Sequence, residues 1–177
     1  MGEELFQLIH KAKRGDRTAF AELVKKYKGP VFRHAYAMVN DRMEAEDIAQ
    51  EAFIKAYYSL AKLEHEYAFA SWMTRIVSNL CHDRLKKLKK QRIVNIDQVQ
   101  GTQTSSIDES ELKLTIQEAM QRLSPSHREA LVLRDIQGFA YDEIAEQLKI
   151  PLGTVKSRIN IARRELKIAL SRGEENG

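Results

Sequence analysis

Apolar and polar positions repeat with the period of an α-helix, not of a strand, from near the start of the chain to about residue 90. Phe20, Leu23, Val24 and Tyr27 share one face of a first run. Gly29 and Pro30 punctuate it, and Pro30 suits the first turn of a second helix carrying Val31, Phe32, Ala35, Tyr36 and Val39. Asn40 and Asp41 then supply turn chemistry. The spacing predicts a third helix over about 45–60, its inward set being Ile48, Ala49, Ala52, Phe53, Ala56, Tyr57 and Leu60. A fourth, over about 69–90, turns Phe69, Met73, Ile76, Val77 and Leu80 inward.

The stretch NIDQVQGTQTSSIDES is polar and has no helical period, so a flexible linker is expected there. The pattern resumes with Leu112, Leu114, Ile116, Ala119, Met120 and Leu123. Ser124 reads as the N-cap of a helix that opens on Pro125 and is filled by Leu131, Val132, Leu133 and Ile136. Residues 138–166 read as a helix-turn-helix. Its first helix, Tyr141 to Leu148, turns in Ile144, Ala145 and Leu148; Pro151 and Gly153 break the chain; its second keeps Val155, Ile159, Ala162 and Leu166 on one face. The expected architecture is all-α: two small helical domains over 1–92 and 113–172, a flexible linker over 93–112, and a disordered tail over 173–177.

Composition narrows the function classes. At 177 residues and 43% hydrophobic, the chain has the makings of globular units with modest cores. A net charge of +4 and an isoelectric point near 9.1 suit a polyanionic partner. The placement of charge is more telling: Arg84, Lys86, Lys87, Lys89, Lys90 and Arg92 crowd one stretch, and Glu44, Glu46, Asp47 and Glu51 another. The single cysteine, Cys81, excludes an internal disulfide and any four-cysteine zinc site, and reads as a buried thiol. No apolar run approaches a membrane span, and Met1 to His10 has no secretory pattern, so a cytoplasmic protein without membrane insertion is expected. The five histidines have no metal-ligand spacing and GTVKS lacks the glycines of a phosphate loop. The expectation is a protein that is not an enzyme, with no catalytic site, metal, cofactor or small-molecule substrate.

Three surfaces carry candidate chemistry. On the second helix of the helix-turn-helix, Lys156, Arg158, Arg163 and Arg164 accompany an outward set of Ser157, Asn160, Ile161 and Arg164, residue types that contact phosphates, base edges and thymine methyls in a major groove. On the fourth helix, Arg75, Asn79, His82, Lys86 and Lys90 form one polar cationic stripe, with Tyr67, Phe69 and Trp72 near its start as stacking groups or as core. The third helix shows Asp47, Gln50, Glu51 and Ile54 to solvent, a face that repels DNA and is either a solvated charge cluster or a protein-docking surface. Residues alone leave open an operator-binding regulator acting as a dimer, or a nucleic-acid enzyme with a helical DNA-binding tail.

Taken together, AEDIAQEAFIKAY at 45–57, FASWMTRIVSNLCHDRLKK at 69–87 and LSPSHREALVLRDIQGFAYDEIAEQLKIPLGTVKSRI at 123–159 resemble the bacterial sigma factors of the extracytoplasmic-function group, minimal members of the sigma-70 family. The resemblance spans nearly the whole chain. It implies that Asp47, Gln50, Glu51, Phe53 and Ile54 dock on core RNA polymerase, at the clamp helices of its largest subunit, with a further contact to the flap. It implies a promoter −10 surface of Leu63, in a base-capturing loop at 62–67, with Trp72, Arg75, Asn79, Asp83 and Lys86. Gly153, Thr154, Lys156, Ser157, Arg158, Asn160, Ile161 and Arg164 would face the −35 duplex, Gly153 and Thr154 through backbone amides. An anti-sigma factor, often membrane-bound in the group, is a further implied partner. Three departures stand out: Ala140 where a capping Ser or Thr is common, Lys149 where the turn often has glycine, and Ile161 where arginine is frequent.

Overall fold

The computed structural model describes residues 2–98 and 116–175, and these are helical with short turns. Helices α1 (Glu3–Lys13), α2 (Arg17–Val39), α3 (Arg42–Ser59) and α4 (Phe69–Gln98) build the first domain. α5 (Ile116–Arg122), α6 (Pro125–Leu131), α7 (Tyr141–Leu148) and α8 (Leu152–Glu175) build the second, α6 running on into one π-helical turn at Val132–Ile136.

Local chemistry sets most helix ends. Asp16 caps α2 by accepting from the Ala19 amide at 3.0 Å, and Asp41 caps α3 by accepting from Glu44 at 2.9 Å. Between α2 and α3, Asn40 takes a left-handed conformation (φ 51°), which a short amide side chain tolerates. Ser124 caps α6 through the His127 amide, with Pro125 at the first helical position. One continuous core joins Ile9, Leu23, Met38, Ile48, Phe69, Met73 and Val77 of the first domain with Leu133, Ile144, Val155, Ile159 and Ala162 of the second.

The helix break expected at Gly29–Pro30 does not occur: α2 runs straight through both. Proline in a helix interior forfeits one backbone hydrogen bond, at a cost of about 3 kcal/mol. Both halves of α2 are anchored in the core, by Ala19 and Leu23 before the proline and by Val31, Ala35 and Met38 after it, and that burial offsets the cost. Boundaries shift as well. α4 continues to Gln98, beyond the expected domain end at 92, and α8 to Glu175, into the segment expected as a disordered tail. Most of the expected linker lies outside the described residues. Tyr57, expected inside, is 42% exposed and meets only the rim of the core, edge-on to Phe20 at 5.1 Å. Ile116 and Ile136 are exposed too.

The two domains also pack against one another, which periodicity could not reveal. Of the last carbonyls of α2, that of Tyr36 accepts the Asn40 amide at 2.9 Å, and those that follow it are the ones a helix end leaves without an intrahelical donor. Side chains of the second domain supply donors: Gln117 to the Tyr36 carbonyl (2.7 Å), Gln121 to Ala37 (3.2 Å) and Arg128 Nη1 to Met38 (2.5 Å). Gln137 donates to the Pro30 carbonyl on the same helix (3.1 Å).

Candidate functional site

Three outward faces emerge from this packing. On α3, Ala45, Ile48, Ala52 and Ala56 are buried, so the helical repeat turns Asp47, Gln50 and Ile54 to solvent. Ile54 is 52% exposed, Met43 extends the same stripe, and Glu51 and Phe53 are half-buried at its edges. Phe53 is partly buried and packs against the core. The face is acidic with an apolar strip, a composition suited to a protein surface.

On α4, Phe69, Met73, Val77, Leu80 and Cys81 are buried, leaving Arg75, Asn79, Asp83 and Lys86 exposed along the opposite side. Burial pushes the Cys81 thiol up to about 12, so the residue is inert core. Trp72 is half-buried with its ring 5.9 Å from that of Phe69, which itself packs edge-on to Tyr27; Trp72 thus sits at the seam between core and face. Two stripe or cluster members are already engaged: Arg84 pairs with Glu44 on α3, and His82 Nε2 lies 2.7 Å from Glu129 Oε2 on α6.

The loop between α3 and α4 is pinned to α1. Glu66 meets His10 Nδ1 at 3.1 Å and Lys13 Nζ at 3.3 Å, and the His10 hydrogen bond, with further help from Lys13, draws its carboxyl down to about 2. Leu63, expected as a DNA contact in this loop, is only 5% exposed. It anchors the loop from beneath, and a side chain so placed cannot touch a base. Lys62, Glu64, His65 and Tyr67 are the exposed polar and aromatic groups there.

In the second domain, α7 and α8 form the expected helix-turn-helix. Val155, Ile159 and Ala162 are fully buried; Lys156, Ser157, Asn160 and Arg164 are exposed, with Arg158 and Ile161 half-buried beside them. Gly153 lies exposed in the first turn of α8, but the Thr154 amide, expected to face phosphate, donates to the Pro151 carbonyl at 3.0 Å. Arg163 leaves the cationic set as well, bound to Asp135. Ala140 has no side-chain acceptor for the start of α7; half the missing cap is restored by Glu143, which accepts from the Ala140 amide at 2.7 Å. Lys149 does occupy the left-handed region, at φ 54° and ψ 46°.

Residues 23–91 match the family model for sigma-70 region 2, and residues 113–166 the model for sigma-70 region 4. The ECF RNA polymerase sigma factor SigW of Bacillus subtilis (strain 168) is 36% identical over 174 residues, covering 90% of this chain and 92% of that protein. The chain belongs to the extracytoplasmic-function sigma factors. The RNA polymerase sigma-H factor of Pseudomonas aeruginosa is 34% identical, covering 93% of this chain and 92% of its own length. The fold is shared with two solved structures: CnrH in complex with the cytosolic domain of CnrY (TM-score 0.70, 23% identity, 93% of this chain and 96% of that one) and the sigma factor RpoE in complex with the anti-sigma factor NepR from Bartonella quintana (TM-score 0.69, 24% identity, 86% and 96%).

In this ECF sigma factor, then, α2–α4 carry region 2 and α5–α8 carry region 4. Sequence reasoning missed the residues that join them. Arg128 and Glu129 are charged yet only 4% and 7% exposed, and they sit on α6 where an ordinary helix would show them to water. Arg128 donates to four carbonyls, those of Met120, Gln121 and Leu123 in its own domain and Met38 in the other. A charged pair at a helix start carries no mark of burial in a single sequence; the one available signal was the pairing of Arg128 and Glu129 with an apolar run directly after them.

Proposed function

We propose that this sigma factor divides promoter initiation among its three outward faces. Asp47, Gln50, Glu51 and Ile54, backed by Phe53, dock on the clamp helices of core RNA polymerase, while region 4 meets the flap. Arg75, Asn79, Asp83 and Lys86, with Trp72 at their edge, receive the −10 element. Extruding a base from the duplex costs a few kcal/mol, and a site that binds the flipped base makes reading and melting one event without ATP. Lys156, Ser157, Arg158, Asn160, Ile161 and Arg164 enter the major groove at −35, where Ile161 favours a thymine methyl over a guanine edge.

The observation that carries this reading is the segregation of charge. The acidic α3 face and the amide-bearing cationic α4 face are exposed on different helices of one domain, so the same domain offers one surface to a protein ligand and another to an anionic one. The solved relatives bound to a cytosolic CnrY domain and to NepR support an anti-sigma partner for this chain too. Among the described residues no helix is long and apolar enough to cross a membrane; a cytoplasmic location belongs to the proposed work on core RNA polymerase. The test is binding to core polymerase and to −35 duplex by wild type, Asp47→Arg and Arg164→Ala. The reading expects each variant to lose one activity and keep the other; equal loss of both overturns it.

A further inference from the structure

Helix α1 lies before residue 23, where the match to sigma-70 region 2 begins, yet its side chains hold the loop that leads into the α4 face. α1 is itself fixed, with Ile9 wholly buried and Ala12 nearly so, and its last turn is a firm base for what sits on it. The loop is anchored in the core at Leu60 and Leu63 on one side and at Phe69 on the other. Between those anchors the backbone makes one short helical turn, Glu66–Ala68, and there α1 takes hold.

Two contacts make the hold. Glu66 Oε1 accepts from both His10 Nδ1 and Lys13 Nζ, which stand three residues apart on one face of α1. The side chains of Glu66 and Lys13 are only 14% and 16% exposed, so water competes for this pair less than for a surface pair. Tyr67, next in the chain, rests its ring on Phe6 at 5.3 Å, and Phe6 lies parallel to His10 at 6.3 Å. Phe6 braces the Tyr67 ring while 74% of the residue faces solvent. Of the three aromatic residues around the start of α4, Phe69 is core, Trp72 sits at the seam, and Tyr67 offers an open ring.

A loop that must order itself around a ligand loses affinity to that ordering, and a loop held beforehand does not. Glu64, His65 and Tyr67 are exposed on either side of Glu66, so the grip on Glu66 sets where they stand. We propose that α1 belongs to the promoter-reading site: His10, Lys13 and Phe6 are positioning residues that hold the 62–67 loop, through Glu66 and Tyr67, in the conformation that takes an unpaired base. The inference rests on the assignment of the −10 element to this domain. Lys13 acts through Glu66 and not on DNA, which separates this role from that of a lysine that attracts phosphate.

The test uses the full chain bound to core polymerase. The probe is a random pool of single-stranded DNA of about 12 nucleotides, read by sequencing what is retained beyond the molecules that core alone retains. The wild type should enrich one base at one position. Lys13→Glu sets two carboxylates against each other, Glu66→Ala removes the anchor, and Phe6→Ala takes the brace from Tyr67 without changing charge. Each should weaken the enrichment about tenfold, the scale of one or two side chains ordered on binding instead of beforehand, while helicity and affinity for core stay at wild type. Lys13→Arg should keep the enrichment. The deciding variant combines Lys13→Glu with Glu66→Ala: it should be no weaker than Glu66→Ala alone, since Lys13 has nothing left to act through. A combined variant weaker still makes Lys13 a direct phosphate contact and overturns the inference. So do single variants that select like wild type, or that lose core binding in step with selection. A wild type that enriches no base overturns the −10 assignment itself, and the inference with it.

Discussion

Arg163 on α8 grips Asp135 through two hydrogen bonds, Nη2 to Oδ1 at 2.6 Å and Nε to Oδ2 at 3.3 Å, and so ties the recognition helix to the π-helical turn after α6. Its neighbour Arg164 is exposed and has room for phosphate. Adjacent arginines therefore do different work. Arg163→Ala should lower the stability of region 4 by up to about 1 kcal/mol, the scale of a half-exposed ion pair, measured by urea denaturation. Arg164→Ala should leave stability unchanged, weaken −35 duplex binding, and reduce the slope of log affinity against log salt by about 1. The converse pattern would reverse the two roles.

Lys149 strains the turn of the helix-turn-helix. A side chain in the left-handed region costs roughly 1–2 kcal/mol relative to glycine. Lys149→Gly should raise the denaturation midpoint by about 1 kcal/mol equivalent while preserving −35 affinity, because the residue ends α7 and lies off the outward face of α8. A destabilised variant would show that the lysine side chain makes up for its backbone.

The α3 face is accessible to the simplest charge test. Asp47→Arg keeps a solvent-exposed position exposed, so the fold should persist, with a melting temperature within a degree or two of wild type. Like-charge juxtaposition at an interface costs several kcal/mol, so core polymerase binding should fall by more than tenfold. Pull-down at equal concentrations distinguishes this from the unchanged binding expected of a merely solvated cluster.

Stability should depend on pH through His34. Burial holds its ring near 4, against 6.5 when exposed, with the Glu129 charge raising it and the His82 charge lowering it. The folded protein thus binds fewer protons, and stability is lost as pH falls from 6.5 towards 4, by about 3 kcal/mol in all. Glu129, held low, acts in the same direction: its contribution is present above about 4.5 and lost as pH falls. His82, held high, acts oppositely: its contribution is full below 6.5 and lost as pH rises through its raised value. Urea midpoints across pH 4–9 should trace a dome near neutrality, and His34→Gln should flatten its acidic side. An unchanged acidic side would place the proton uptake elsewhere.

Much of this architecture is legible in the sequence because helical periodicity reports burial directly. The inward sets of α3, α4 and α8 are set by apolar spacing, and Ser124–Pro125 announces a helix start by residue type; the left-handed turn at Lys149 was expected only from the resemblance, since a lysine does not itself call for it. Pro30 misleads because its local cost is outweighed by tertiary burial on both sides, a balance invisible to a short window. Leu63 misleads differently: a resemblance places its loop but does not say which side chain faces inward. The domain interface was not legible at all, since Gln117, Gln121, Arg128 and Glu129 are residues that ordinarily face water, and only their long-range partners on α2 and α4 bury them. Periodicity gives which side chains are exposed on α3, α4 and α8, but not which of them a long-range partner engages, as Asp135 engages Arg163 and Glu129 engages His82.

The most direct test of the whole account is transcription in vitro with purified protein, core RNA polymerase and a genomic fragment library, sequencing the transcripts that need the protein. The account predicts discrete start sites sharing −35 and −10 elements, with the −35 signal altered by Ile161→Arg. Protein-independent initiation, or tight binding of intact operator-like duplexes by the protein without polymerase and no dependent transcripts, would contradict it.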